Sequence, residues 1–241
     1  MPSVRRHYED HLAPIYLWMA GGIEHALALG TDDVADFVDR PGYAVDLGAG
    51  FGMHSIPLAK AGFRVLSVDS SQHLLAELRK HADGLDVATV EGDLREFAGH
   101  MSGPADLILC TGDTLTHLRS TDDVLALLRQ VADSLRPGGQ FVASFRDYRT
   151  LPTGDARFIP VRSDSDRILA CFLEERAEHV LVHDVIHERV EGAWSMKVSS
   201  YEKLRLSPLT VKQGAEAAGM RCRIETGPRG MLKVVAGTAG P

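Results

Sequence analysis

A glycine-rich stretch, Val45–Gly52, is the strongest candidate for a ligand site in this sequence. It reads VDLGAGFG and stands between an apolar run and a helix-forming run. Glycines at such a junction permit a tight turn and let a ligand lie against bare backbone. Asp69 follows twenty-one residues after Gly48, at the end of a second apolar run. Because a carboxylate there can accept hydrogen bonds from both hydroxyls of a ribose, the pattern indicates a nucleoside-containing cofactor.

Two details of this loop favour a phosphate-free cofactor over a dinucleotide. A Gly-x-Gly-x-x-Gly loop would place its third glycine at residue 53, which is Met53, whereas the glycine falls at Gly52. Asp46 precedes the loop, where its charge repels a pyrophosphate and attracts the ammonium and sulfonium groups of S-adenosylmethionine (SAM). Asp93 follows the third apolar run and is placed to receive an adenine amino group. The sequence therefore predicts SAM as cofactor, with S-adenosylhomocysteine as product, and disfavours a nicotinamide dehydrogenase.

Alternating apolar and amphipathic runs indicate which elements position these residues. The strand-like runs are 43–47, 64–68, 87–90, 106–110 and 140–145, and the helix-like runs are 53–60, 72–81 and 121–135. Such alternation is typical of a parallel sheet with helices on both faces, in which the carboxyl ends of the strands meet at one edge. We predict an α/β fold with a Rossmann-like, mainly parallel seven-strand sheet.

The pattern changes after Thr150. A stretch rich in Pro, Gly, Ser and Asp predicts a loop over 151–165, and strand-like runs at 168–176, 180–190 and 194–206 predict an antiparallel β insertion near the active site. A helix at 209–218 and strands at 221–225 and 232–236 are expected to complete the main sheet. The predicted organisation is an N-terminal helical cap (1–40), a SAM-binding core (41–150), the β insertion (151–206), and the last helix with the final core strands (207–241).

Three stretches resemble the class I SAM-dependent methyltransferases, and among them the glycine and glycine/sarcosine N-methyltransferases. They are VDLGAGFGMHSIPLAKAGFRVLSVDSS (45–71), ILCTGDTLTHL (108–118) and LRPGGQFVASFRDY (135–148), so the likeness covers about residues 40–150. The resemblance implies direct in-line methyl transfer to a small molecule, at nitrogen. An O- or S-methyltransferase and a catalytically inactive SAM-binding accessory protein are the alternatives.

The resemblance also implies roles for single residues on the cofactor side. It implies adenosine contacts from Asp69, Asp93 and Leu94 and backbone contacts from Gly48. The residues assigned to the cofactor are Asp46, Gly48, Ala49, Gly50, Gly52, Asp69, Ser70, Asp93, Leu94, Cys110 and Tyr16.

On the acceptor side the sequence departs from the family pattern. The family's asparagine in the second stretch is Asp113 here, and its carboxylate-binding arginine falls on Arg146. An anionic Asp113 favours an amine or azole N–H over a bare carboxylate, so glycine is not assigned as the substrate. We expect Asp113, Arg146 and Tyr148 to line a pocket facing the methyl group, because they follow adjacent parallel strands. Asp113 is a candidate to orient the acceptor N–H or take its proton, and His117 is a candidate proton acceptor that assists it.

Each of these side chains also has a purely structural interpretation. Asp113 is a candidate cap for the turn that starts near Thr114, and Arg146 is a candidate surface ion pair with Asp147 or a neighbouring acid. His117 alternatively pins its loop to the backbone.

Other aromatic and histidine residues also have two interpretations. Tyr8, Tyr16 and Trp18 suit either a lid over the site or an ordinary core. His183 and His187 share a face of a predicted strand but lie about 13 Å apart at ~3.3 Å per residue, so we expect no metal site there.

Composition limits the class of protein. A net charge of −7 without a basic run argues against nucleic-acid binding, and the absence of an apolar stretch of about 18 residues argues against a membrane span. Three sparse cysteines and no secretory signal indicate a cytoplasmic protein. The sequence leaves open whether copies of the chain form a homo-oligomer.

Overall fold

The structure is a computed structural model that describes residues 4–240. Its centre is a seven-stranded sheet in the order β10-β11-β5-β4-β1-β2-β3. These strands are β1 (Tyr43–Leu47), β2 (Arg64–Asp69), β3 (Val87–Glu91), β4 (Ala105–Cys110), β5 (Leu135–Phe145), β10 (Arg221–Thr226) and β11 (Leu232–Gly237). Strands β1 to β5 are parallel, and β11 pairs antiparallel with both β5 and β10. The predicted fold class is confirmed.

Helices cover both faces of this sheet because its strands are apolar on both sides. All five residues of β1 are buried, with Val45 and Leu47 in one apolar cluster and Ala44 in another. The main helices are Ile23–Val34, Ser55–Lys60, Gln72–His81, Thr121–Ser134 and Pro208–Ala217. Ser71 and Ser120 cap two of them by accepting a backbone N–H with their hydroxyls. Because helices cover both faces of the sheet, a site can form only at an edge, where the carboxyl ends of the strands lie.

A second sheet of four antiparallel strands follows the core in the order β6-β7-β8-β9. Its strands are β6 (Phe158–Ser163), β7 (Arg167–Glu175), β8 (His179–Val190) and β9 (Ala193–Leu204). The three predicted strands are present. The prediction of a loop over 151–165 is wrong for residues 158–163, which form β6. Pro160 obscured this strand in the sequence, although β6 is an edge strand, where a residue without an N–H is tolerated.

The N-terminal part of the described chain is helical but broken. Short helical turns over Val4–Met19 precede the Ile23–Val34 helix. Within residues 4–240 no single helix is long and apolar enough to cross a membrane, and one sharply bent pair, Val4–Met19 with Ile23–Phe37, passes that test by length and composition only.

Gly52, in the glycine loop, packs closely against the Gln72–His81 helix. Its substitution tests this packing. Its φ is +92°, and a Cβ there would lie 2.8 Å from Leu78 Cγ. Gly219 has a similar φ of +86° with open space around it. We expect Gly52→Ala to lower the free energy of unfolding by about 1–3 kcal/mol more than Gly219→Ala, because only Gly52→Ala adds overpacking to backbone strain. Urea unfolding of both variants checks this, and equal losses would contradict it.

Candidate cofactor and acceptor site

A cavity of about 700 Å³ lies at the carboxyl ends of β1 to β4 and is also lined by the second sheet. Its volume suits a cofactor together with a small acceptor. One half is formed by residues that follow β1, β2 and β3. The other half is formed by the N-terminal segment, the loop after β4, and the end of β9.

Asp69 organises the first half. Its carboxylate accepts backbone N–H groups from Gly50 and Ser71, both at 2.8 Å. Burial raises the pKa of this carboxyl group above its ordinary value. A carboxylate has about four acceptor positions, so two positions remain for ribose hydroxyls.

The glycine loop presents its backbone to the same half of the cavity. Gly48 and Ala49 donate their N–H groups to the Val68 carbonyl, at 2.8 and 3.1 Å, which ties the loop to β2. Gly48 has a φ of +74°, and a Cβ on it would lie 2.6 Å from the Thr114 side chain. The loop after β4 can therefore approach the glycine loop closely only because residue 48 has no side chain.

Asp93 lies on the far side of the cofactor half. Its carboxylate caps the following turn by accepting the Arg95 N–H at 2.9 Å, and it also binds the Arg95 guanidinium. The hydrogen bond with Arg95 lowers the pKa of Asp93. Ser70 and Leu94 line the cavity beside these residues.

Of the eleven residues assigned to the cofactor, eight line the cavity. They are Gly48, Ala49, Gly50, Asp69, Ser70, Asp93, Leu94 and Tyr16. The other three, Asp46, Gly52 and Cys110, do not line it. Asp46 is buried under the loop, where it accepts the Ser55 hydroxyl at 2.6 Å, and Cys110 is a fully buried core residue. The sequence placed all three near the loop but did not reveal that they face away from the ligand space.

Aromatic rings line the second half of the cavity. The Tyr8 ring centroid lies 6.0 Å from Tyr16, 5.3 Å from His117 and 5.9 Å from Tyr201. Tyr16 also lies 5.9 Å from Phe51 of the glycine loop. Burial raises the pKa of the three tyrosines, so the hydroxyls stay neutral. We call Tyr8, Tyr16, His117 and Tyr201 the aromatic cluster.

His117 is the titratable base of the aromatic cluster. Its Nε2 atom shares a hydrogen bond with the Tyr8 hydroxyl at 3.1 Å. Its Nδ1 atom is buried and has no hydrogen-bond partner among the described residues. Burial, reinforced by the charge of Lys203, lowers the pKa of His117 to about 3. The ring is therefore neutral at physiological pH and keeps one nitrogen uncommitted.

Asp113, Arg146 and Tyr148 come together as the sequence predicts, but none of them lines the cavity. Asp113 is 1% exposed and accepts the Arg146 N–H at 2.7 Å, the Arg146 guanidinium, and the Tyr148 hydroxyl at 3.1 Å. The three residues therefore bind one another and do not line the pocket that we expected. The cap interpretation of Asp113 is wrong, because its side chain makes no cap hydrogen bond. Arg146 does form an ion pair with an acid, but that acid is Asp113, since Asp147 binds Arg149.

Lys203, which sequence analysis did not single out, completes this cluster. Its ammonium donates to Asp113 at 2.9 Å and to the Tyr148 hydroxyl at 3.2 Å, and it is 7% exposed. Burial by itself would raise the pKa of Asp113, but the charges of Lys203 and Arg146 outweigh it and hold the pKa well below its ordinary value. The pair connects β9 of the second sheet to the loop after β4. It thereby fixes the loop that carries His117.

The N-terminal segment is pinned to the core sheet on the cofactor side. Arg5 forms an ion pair with Glu91 at 2.5 Å. Glu9 accepts the Ser71 hydroxyl and the His73 N–H, the latter at 3.2 Å. Glu9 therefore adds a carboxylate at the start of the Gln72–His81 helix, where the helix dipole favours negative charge.

The same segment is pinned to the second sheet by a buried histidine. His7 is 1% exposed, and its two ring nitrogens lie 2.9 Å from Asp184 and 2.8 Å from the Ser199 hydroxyl. The His11 ring lies 3.1 Å from the Asp184 carbonyl oxygen. These contacts hold Tyr8 and Tyr16 at the cavity, whereas Trp18 does not line it.

The remaining histidines of the second sheet have separate environments. His183 binds Glu174 and Ser200, at 3.1 and 2.8 Å. His179 lines the mouth of the cavity and binds the Arg119 carbonyl at 3.1 Å.

The chain is similar in sequence to known proteins. Residues 44–139 match the family model of the methyltransferase domain. The cypemycin N-terminal methyltransferase of Streptomyces sp is 34% identical over 149 residues, which are 55% of this chain and 60% of that protein. The glycine/sarcosine N-methyltransferase of Aphanothece halophytica is 34% identical over 106 residues, which are 43% of this chain and 40% of that protein. The matches therefore span less than two thirds of these relatives.

Among solved structures, the CcbJ methyltransferase of Streptomyces caelestis matches with a TM-score of 0.77 at 22% identity, covering 97% of this chain and 98% of that one. The chain is similar to the class I SAM-dependent methyltransferases. The predicted resemblance and the predicted cofactor are thereby confirmed.

Asp69→Ala tests the cofactor half. We expect the affinity for SAM to fall at least about 100-fold, because two hydrogen bonds from the ribose to a charged group are worth ~1.5–3 kcal/mol each. Isothermal titration calorimetry measures this, with circular dichroism as a check on folding. Asp83→Ala, which removes an exposed carboxylate outside the cavity, is the control. Unchanged affinity in Asp69→Ala would show that the ribose binds elsewhere.

Asp113→Asn tests the buried pair, because it leaves the Lys203 ammonium buried without its counter-charge. We expect a loss of about 3–5 kcal/mol in the free energy of unfolding at pH 7. The pKa of Asp113 is lowered in the folded protein, so its negative charge stabilises the folded state at pH values above ~4, the pKa of an unperturbed aspartate. This contribution disappears as the pH falls through the pKa of Asp113 in the folded protein. Urea unfolding from pH 7 downward should therefore show the gap to wild type narrowing below pH ~4.

The double variant Asp113→Asn/Lys203→Met is the control for that experiment. It removes both charges together, so we expect its stability to lie closer to wild type than that of Asp113→Asn alone. Strictly additive losses would contradict the pairing.

Proposed function

We propose that this chain transfers the methyl group of SAM to a nitrogen atom of a small molecule. The observation that carries the proposal is His117, a neutral base with an uncommitted nitrogen, in the same cavity as Asp69 and the glycine loop. One relative described above is named as an N-methyltransferase and the other as an N-terminal methyltransferase, which supports a nitrogen acceptor here.

The cofactor half fits the chemistry of SAM. Asp69 offers carboxylate positions to ribose hydroxyls, and Gly48 to Gly50 offer bare backbone. When bound, SAM supplies a methyl group on a good leaving group, so the protein needs no covalent intermediate. The residues of the chain then have to align the acceptor with that methyl group and exclude water.

The aromatic cluster suits an amine. Ring faces attract a nitrogen that carries positive charge, and they surround it without forming an ion pair that would hold its proton. Because the tyrosines stay neutral, the cluster contributes no fixed negative charge of its own. A neutral amine lone pair is what in-line displacement requires.

We assign His117 the task of accepting the acceptor's proton. In this assignment His117 Nε2–H donates to the Tyr8 hydroxyl, which leaves the lone pair on Nδ1. The Nδ1 atom then accepts a hydrogen bond from the acceptor N–H and takes its proton as the N–CH₃ bond forms.

The mouth of the cavity indicates a polar acceptor. Arg119, His179 and Glu202 line it, and the side chains of Arg119 and Glu202 form no hydrogen bond or ion pair within residues 4–240. Charged groups of both signs at the entrance suit an acceptor that carries further polar or ionic groups beside its amine.

An acceptor panel with labelled SAM tests the proposed function. It should contain small peptides with a free N-terminus, amino sugars and amino acids, each matched with an analogue that has a hydroxyl or thiol in place of the amine. We expect label in one amine series and none in its matched analogues. Label only in hydroxyl or thiol compounds would assign an O- or S-methyltransferase. Tight SAM binding with no product from any compound would favour a non-catalytic SAM-binding role.

His117→Gln tests the proton-accepting role once an acceptor is known. We expect kcat to fall about 100-fold or more, since glutamine keeps a polar side chain but is not a base. Because the pKa of His117 is about 3, its protonation does not change between pH 5 and 8, so His117→Gln should leave the shape of the wild-type pH profile intact over that range. His179→Gln, at the mouth, is the control. A kcat in His117→Gln close to that of wild type would contradict the assignment.

A further inference from the structure

Arg229 has a strained backbone conformation in the turn between β10 and β11, outside the cavity. Its φ is +54°, in the left-handed region that residues other than glycine seldom adopt. Such strain persists only where the surroundings enforce it, and it is common near functional sites. The Arg229 guanidinium donates to both carboxylate oxygens of Asp33, at 2.6 and 3.4 Å. This ion pair connects the turn to the Ile23–Val34 helix.

Asp33 connects Arg229 to a histidine in the wall of the cavity. The Asp33 side chain is 13% exposed, and its Oδ2 atom lies 3.1 Å from Nε2 of His54. Burial by itself would raise the pKa of Asp33, but hydrogen bonds from His54 and Arg229 outweigh it and lower the pKa. Asp33 is therefore a carboxylate that can only accept hydrogen bonds, so the proton of this contact lies on His54 Nε2.

The other ring nitrogen of His54 contacts Thr111, and both residues line the cavity. His54 is 7% exposed, and its Nδ1 atom lies 3.0 Å from the Thr111 hydroxyl oxygen. Because Nε2 carries the proton of the neutral ring, Nδ1 holds a lone pair and accepts the Thr111 O–H. The Thr111 hydroxyl makes no other hydrogen bond within residues 4–240. Its oxygen therefore keeps its acceptor positions for a ligand.

The strand order places Thr111 on the opposite side of the glycine loop from the adenosine residues. Asp69 ends β2 and Asp93 follows β3, whereas Thr111 follows β4, on the other side of β1. A nucleoside whose ribose binds Asp69 and whose adenine lies toward Asp93 therefore extends its 5′ substituent over the glycine loop toward Thr111. In SAM this substituent ends in an amino acid, which has one ammonium and one carboxylate group.

We propose that the Thr111 oxygen accepts a hydrogen bond from the α-ammonium group of SAM, and that Arg229 positions this hydroxyl through the two residues between them. The lone pairs of the oxygen attract the ammonium group and repel the carboxylate, so the contact fixes which way the amino acid lies. This proposal rests on the placement of SAM proposed above, with its ribose at Asp69. It is independent of the identity of the methyl acceptor.

Isothermal titration calorimetry with S-adenosylhomocysteine tests the contact with the ammonium group. Thr111→Val replaces the hydroxyl with a methyl group. We expect it to lower the affinity about tenfold or more, because a hydrogen bond to a charged group is lost. The desamino analogue of S-adenosylhomocysteine and 5′-methylthioadenosine both lack the ammonium group, so Thr111→Val should bind them as tightly as wild type does. Equal losses for S-adenosylhomocysteine and its desamino analogue would overturn the proposal.

Asp69→Ala checks the placement of the nucleoside separately. It should weaken all three ligands, because each of them contains the ribose. An Asp69→Ala variant that binds all three like wild type would overturn the placement of SAM and this proposal with it. The acceptor panel described above tests the chemistry of the acceptor and is unaffected by either result.

Arg229→Gly separates a positioning role from a purely structural one. It removes the guanidinium and also relieves the backbone strain, so a purely structural role predicts unchanged affinity. We expect its affinity for S-adenosylhomocysteine to fall about fivefold, since the Thr111 hydroxyl remains but loses its fixed direction. Binding of 5′-methylthioadenosine should not change, and Arg229→Lys, which keeps the charge, should retain most of the affinity for both ligands.

Glu191→Gly is the matched control. Glu191 has a similar φ of +51°, in the turn between β8 and β9, and does not line the cavity. Its replacement relieves comparable strain and should leave the affinity for both ligands unchanged. A loss of affinity in Glu191→Gly equal to that in Arg229→Gly would overturn the positioning role.

A double-mutant cycle shows whether Arg229 acts through Thr111. If it does, Arg229→Gly should cost little further affinity for S-adenosylhomocysteine once Thr111→Val has removed the hydroxyl. Additive losses would overturn the positioning role, as would an Arg229→Gly variant that binds S-adenosylhomocysteine like wild type. Circular dichroism and thermal midpoints of each variant exclude unfolding as the cause of a lost affinity.

Discussion

The buried ion pair between Asp113 and Lys203 joins the two sheets of this protein at the point where the cavity lies. Asp113 has a left-handed φ of +74°, which costs energy for a residue with a side chain and persists only where the surroundings enforce it. The groups around its carboxylate supply that enforcement: Arg146, Tyr148 and Lys203. The loop after β4 is held in shape from the side opposite the cavity, so its inner side is free for ligands.

The aromatic cluster depends on the ion pair between Asp113 and Lys203 and on a second set of contacts. Its members come from three distant parts of the chain, the N-terminal segment, the loop after β4 and the end of β9. Asp113 and Lys203 bring the last two together, and His7 brings the first to them through Asp184 and Ser199. The acceptor half is thus a product of tertiary contacts between charged or polar groups, whereas the cofactor half is built from residues that follow the consecutive strands β1, β2 and β3.

This difference explains what the sequence could and could not predict. The core strands, the glycine loop and Asp69 follow from local patterns, since hydrophobic periodicity and strand order place them without knowledge of distant contacts. Tyr201 and Lys203 carry no local signal, because their importance arises only when β9 meets the loop after β4. Asp113 and Arg146 were correctly placed at adjacent strand ends, but spacing alone does not show whether an acid and a base face a ligand or each other.

The β insertion and the residues beside the glycine loop also show what a local sequence pattern reveals and what it does not. Its three central strands were evident from alternation, and β6 was hidden by Pro160, which an edge position tolerates. Asp46 and Cys110 were placed beside the ligand because they adjoin the motif, yet adjacent residues of a strand point to opposite faces. A motif therefore specifies the position of a site to within a residue or two, and packing decides which side chains reach it.

The N-terminal segment borders both halves of the cavity. Arg5 and Glu9 fasten it beside the nucleoside site, while His7 and His11 fasten it beside the acceptor site. These attachments alternate along a few turns of one chain segment, so both halves of the cavity depend on the same short stretch of backbone for part of their wall.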